Sequence, residues 1–126
     1  RVLDALRAAE SHAPRSQKSS VAVNAGVLAE MIDRAALLYL EATSDGPNPE
    51  SWLDGYGYFK AAEARAKVLG PGLTSADPIA THRIAEAMAL LARAFPKPTP
   101  AAAPPVEPSA LLAASSHVTL MVGKFR

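Results

Sequence analysis

Apolar residues recur along most of this chain at three- and four-residue spacing, the period of a helix with one side turned away from water. In "RVLDALRAAESHA", Val2, Leu6 and Ala9 share a face, with Asp4, Arg7 and Glu10 towards the other. Pro14 and the polar stretch "PRSQKSS" predict a break after it. The next segment, "VAVNAGVLAEMIDRAALLYLEA", is the longest apolar-rich one, and Ser20 and Asn24 both suit its N-cap. Its predicted buried stripe is Val27, Leu28, Met31, Ala35, Leu38 and Ala42. Glu30, Asp33, Arg34 and Glu41 form the opposite stripe, with Glu30 and Arg34 at the supportive i,i+4 spacing. Leu37 falls in the middle of those charges and Leu40 near one edge, which predicts that this helix meets a second neighbour.

"TSDGPNP" is a turn signal. Asn48 caps, Pro49 takes the first helical position and Glu50 lies where the helix dipole favours a carboxylate. The helix it opens is predicted to run to about Leu69, where "GPG" stops it at Gly70 and Pro71. Inside it, "DGYGYFK" reads as a strand, a flexible binding loop or a helix. At ~100° per residue, Trp52, Tyr56, Phe59 and Ala66 share an arc with Gly55 and Ala62 at its edge. A strand would leave "KAAEARAKVLG" to begin a helix without a cap, so the helix is predicted. Gly55 lies in the apolar arc and predicts close approach by a neighbour. Gly57 faces outward and weakens the helix by up to ~1 kcal/mol relative to alanine.

A further start follows, with Asp77 as cap and Pro78 in the first turn. Ala80, Ile84, Ala87, Met88, Leu91 and Phe95 make its apolar face, His82, Glu86 and Arg93 lie opposite, and Pro96 ends it. Six prolines between 96 and 108 then exclude helix and interior strand, leaving a semi-extended spacer. Beyond it, "SALLAA" has helical composition and "HVTLMV" strand composition. A lone strand needs partners for its backbone groups. Another protein's sheet edge, the "SVAV" stretch, or neither in a disordered tail are the alternatives.

The fold class predicted is all-α: three to four antiparallel helices in an up-down bundle, with a Pro/Ala-rich C-terminal extension. The domain division is a bundle over 1–95, a Pro-rich linker over 96–108, and a docking segment or disordered tail over 109–126. The predicted core is Leu6, Leu28, Met31, Leu38, Trp52, Tyr56, Phe59, Ile84, Met88, Leu91 and Phe95.

Composition narrows the chemistry. Thirteen basic and twelve acidic residues give a net charge of +1, without the basic excess of a nucleic-acid module. There is no cysteine, which excludes disulfides, thiolate catalysis and Cys-based zinc sites and leaves cytoplasm and periplasm both open. No apolar run approaches the ~18 residues of a membrane span. The chain begins at Arg1 rather than Met, the expectation for a processed form or part of a longer protein.

Glu63 falls within the arc of Trp52, Tyr56 and Phe59. A carboxylate among aromatics has its pKa raised by desolvation, the environment of a general acid or a metal ligand; the plainer reading pairs it with Lys60 or Lys67 at the rim. His82 and Glu86, one turn apart, supply two metal ligands where a site needs more, and His12 and His117 lie on distant segments. Met31 and Met88 sit on apolar faces as core fillers rather than copper ligands, and no metal or cofactor is expected. No GxSxG, phosphate loop or HExxH occurs. The sequence therefore predicts a non-enzymatic interaction module or accessory subunit. It would dock a protein partner or a second copy through Leu37, Leu40, Val118, Leu120 and Val122. The alternative is a ligand-binding bundle with a pocket of Trp52, Tyr56, Phe59 and Glu63.

Overall fold

The structure, a computed structural model, describes residues 13–44, 48–101 and 103–123, with side chains placed for 22–44, 48–69, 77–101 and 103–122. The predicted N-terminal helix, with Leu6 and His12, lies outside them. Four helices form: α1 (Ala13–Ser44), α2 (Pro49–Ala76), α3 (Pro78–Ala94) and α4 (Pro108–Gly123). No strand occurs among the described residues.

The capping chemistry starts the helices where it should. Asn48 Oδ1 accepts from the Ser51 N–H at 3.2 Å. Asp77 sits in extended backbone and accepts from the Ile79 and Ala80 N–H groups, with Pro78 just inside the helix. α4 opens in the same style. Pro108 takes its first position while the Glu107 carbonyl accepts from Ala110 and Leu111. A proline at a helix start loses no hydrogen bond, because the first N–H groups have no intrahelical partner.

That rule also explains the first of two departures from expectation. The predicted break at "PRSQKSS" is helical, because α1 begins at Ala13 and Pro14 occupies its first turn. The "GPG" at 70–72 does not end α2, which continues to Ala76. An interior proline costs about 3 kcal/mol, and a long helix anchored by buried Leu69 and Ala62 below that point carries it.

The helices run up, down, up and down. α1 and α2 are antiparallel: Arg65 Nη1 donates to Asn24 Oδ1 at 2.9 Å near one end, and Gly55 lies against Leu38 near the other. Phe95, just past α3, packs over the same Gly55. α4 returns antiparallel to α1, bringing Val106 to Tyr39 and Ser115 to Asp33. α1 packs on α2 and α4, and α3 completes the square against α2 and α4, with a narrower contact across the diagonal to α1.

The sequence division that ends the bundle at residue 95 thus meets a different arrangement. Leu111, Val118 and Val122 of α4 are buried in the same core as α1 and α3. "HVTLMV" is helical despite its β-branched residues, because tertiary burial outweighs a propensity spanning only ~1 kcal/mol. The proline segment is irregular, as expected, yet anchored. Trp52 Nε1 donates to the Lys97 carbonyl at 2.9 Å. Tyr39 Oη donates to the Val106 carbonyl at 2.6 Å and accepts from the Val106 N–H at 3.0 Å.

The core has an aromatic end and an alanine-rich body. Tyr39, Trp52 and Phe95 meet with ring centroids 5.2 to 5.7 Å apart, two of the three pairs edge-on. Ala25, Ala29, Ala35, Ala36, Ala62 and Ala87 let the helices lie close. Of the predicted core, Leu28, Trp52, Phe59, Ile84, Leu91 and Phe95 are buried, while Met31, Leu38, Tyr56 and Met88 are half-buried. Ile32 and Tyr39 were not among the predictions, because three neighbours widen the buried arc of α1 beyond its strongest apolar stripe.

Candidate functional site

Trp52, Tyr56, Phe59 and Glu63, predicted to line one pocket, take separate places among the described residues. Trp52 and Phe59 turn into the core, and Tyr56 lies half-buried with its ring 6.2 Å from Phe59. Glu63 stands apart at the rim, its carboxylate 2.9 Å from Lys60 Nζ. That hydrogen bond holds the Glu63 carboxyl below the usual carboxylate range and the Lys60 ammonium above its own. The direction is the reverse of a desolvated general acid and fits the plainer reading of a rim pair with Lys60, because water reaches the pair and the charged form has a partner.

Glu63 instead edges a different space. A cleft of about 300 Å3 lies between α2 and α3. Leu28 of α1 contributes to its wall, with Ala66 and Leu69 from α2. Ile84, Ala85 and Met88 of α3 form the facing wall. Its polar groups are Glu63, Lys67 and Thr81. The Thr81 hydroxyl donates to the Asp77 carbonyl at 2.9 Å. The sequence signal for this cleft was present in the i,i+4 series Ile84–Met88 and in Ala85. The pairing of that face with Ala66 and Leu69 required the tertiary fold.

The five predicted partner-binding residues divide. Val118 and Val122 are at most 2% exposed and offer no surface. Leu120, on the outer side of α4, is 67% exposed. Leu37 and Leu40 are 44% and 37% exposed on α1. Exposed Glu30, Arg34 and Glu41 surround them on the outer arc, and Arg34 lies 5.9 Å over the Tyr58 ring.

His82 Nε2 lies 2.8 Å from Glu86 Oε1 on the outer face of α3, and Arg83 approaches the other carboxylate oxygen at 3.7 Å. No three histidine or carboxylate side chains gather into a metal-binding group among the described residues. No helix among them is long and apolar enough to cross a membrane. Comparison with protein-family models, with curated proteins and with solved structures finds no match for this chain.

Proposed function

We propose that this protein is a non-enzymatic helical interaction module, an accessory subunit that docks a protein partner on the outer face of α1. The observation that carries the reading is the exposure of Leu37 and Leu40 amid charges, on a helix whose opposite side is already engaged by three others. Two leucines one turn apart, flanked by both signs of charge, suit an amphipathic helix laid along α1. Glu63 and His82, the residues closest to an acid-base role, both sit in solvent-exposed ion pairs. That setting supports binding over catalysis, since catalytic acids and bases are tuned by burial. The buried positions of Val118 and Val122 confine the proposed surface to α1, with Leu120 a separate exposed point.

The test compares the tagged full chain with a Leu37→Glu, Leu40→Lys double variant by cross-linking in native extract and by sedimentation. Both positions are exposed, so helicity should be unchanged by circular dichroism. A cross-linked protein captured by the wild type and lost in the variant supports the reading. A concentration-dependent mass lost in the variant makes the partner a second copy. Identical cross-linked sets and masses for the two chains would overturn it.

A further inference from the structure

The outer face of α1 carries a pattern of charge that is complementary to itself. We infer that the partner docked there is a second copy of this chain, with the two α1 helices crossed antiparallel about a twofold axis beside Leu37. The inference rests on the docking reading above and names its partner.

Spacing comes first. Arg34 and Glu41 are seven positions apart in the sequence, which is about 20° short of two full turns. They therefore share a face, about 10 Å apart along the helix. Leu37 lies between them in height, and all three side chains are exposed. Neither charge is paired. Arg34 lies 5.9 Å over the Tyr58 ring, and Glu30, one turn before it, does not reach it. Neither Arg34 nor Glu41 has an ion pair within 4 Å among the described residues. The positions one turn either side of Glu41, occupied by Leu37, Leu38, Ser44 and Asp45, hold no cation. The helix itself thus offers Glu41 no local partner.

Symmetry supplies the match. In a twofold contact residue i meets j and j meets i. An axis midway between positions 34 and 41 brings Arg34 onto the second copy's Glu41 and Glu41 onto the second copy's Arg34. The two Leu37 side chains meet beside the axis, where the paired charges shield them from water. A parallel arrangement would set arginine on arginine and glutamate on glutamate, so charge selects the antiparallel one. At the commonest crossing angle of about 50° the helices part beyond these positions. The contact is therefore short, and exposed ion pairs are individually weak. It belongs to the class of small, reversible interfaces.

The test is sedimentation equilibrium of the full chain up to about 1 mM, where the wild type should dimerise with a dissociation constant of roughly 0.1 mM. Arg34→Glu and Glu41→Arg each turn two attractions into two repulsions, and each should weaken the dimer about tenfold. Combining them restores opposite charges across the axis, and the double variant should return to within about threefold of the wild type. Added salt should weaken the wild-type dimer and strengthen that of either single variant. A wild type still monomeric at about 1 mM overturns the second copy as partner; the docking reading then stands or falls on the foreign protein cross-linked in extract. The inference is equally overturned by a dimer that either single variant leaves unchanged, or by a double variant no tighter than the singles.

Discussion

Two glycines a little over half a turn apart show how one residue type can be required in one place and incidental in another. A Cβ on Gly55 would stand 2.6 Å from Phe95 Cζ and 3.2 Å from Leu38 Cβ. The Phe95 ring is buried between Tyr39 and Trp52 and has no free direction in which to yield. Gly57 has nothing within 4 Å of the same position. Gly55→Ala should therefore destabilise by about 1–3 kcal/mol, the scale of overpacking, despite its gain in helix propensity. Gly57→Ala should stabilise by about 0.5–1 kcal/mol. Urea unfolding of the pair, with opposite signs expected, checks both. The sequence distinguished these glycines by the arc on which each falls. It did not identify Phe95 as the group over Gly55, because that contact joins residues 40 apart in the chain.

Tyr39 is the other residue whose effect reaches beyond its size. Burial pushes its phenol above the ordinary 10.0; the hydrogen bond with Val106 acts against that rise, and the nearby Glu107 charge adds to it. The folded state thus keeps a proton that the unfolded chain releases. Its contribution to stability is complete below about pH 10 and is lost as pH rises through the folded value. Tyr39→Phe should remove this part of the alkaline loss of stability. At neutral pH it should cost about 1–3 kcal/mol, since both polar groups of Val106 lose their partner. Thermal unfolding of the variant across pH 7 to about 11 measures the two effects together.

Among the elements, α4 carries the largest prediction. Removing residues 96–126 would expose the inner faces of α1 and α3 that Leu111, Val118 and Val122 now cover. It should also free the Trp52 indole N–H and the Tyr39 hydroxyl from their partners. Each large core side chain lost costs about 2–5 kcal/mol, so the truncated chain should lose its cooperative thermal transition by circular dichroism. The helices α2 and α3 were legible in the sequence because cap, proline and period agree at Asn48–Pro49 and Asp77–Pro78. α4 was not. Pro108 supplies the same start signal as Pro78, but "HVTLMV" has a strand's composition. Its buried spacing, Leu111, Ser115, Val118 and Val122, includes a serine where a hydrophobic residue is expected. Ser115 is buried because Asp33 of α1 receives its hydroxyl at 3.3 Å, a partner that only the fold brings near. The candidate site was partly legible for a related reason. Lys60–Glu63 is a local pair that spacing announces, while the cleft belongs to the meeting of two helices.

For the whole molecule, one core shared by four helices predicts one transition. Trp52 reports on the α1–α2–α3 junction and on the strap at Lys97, while circular dichroism reports on all four helices. Their thermal midpoints should coincide, as for a two-state domain. Separate midpoints would mean that α4 detaches before the other three unfold.

The paired hydrogen bonds between the Tyr39 hydroxyl and the two backbone groups of Val106 act as a buckle. Chain between the Lys97 anchor and the buckle is irregular, and chain after it is metered. Two residues added at 101–103 should lengthen a loop and change the melting temperature little. A single residue added between Val106 and Leu111 would turn the last helix about 100°. Val118 would then face water, and Ala114 and His117 would take the buried places of Ser115 and Val118.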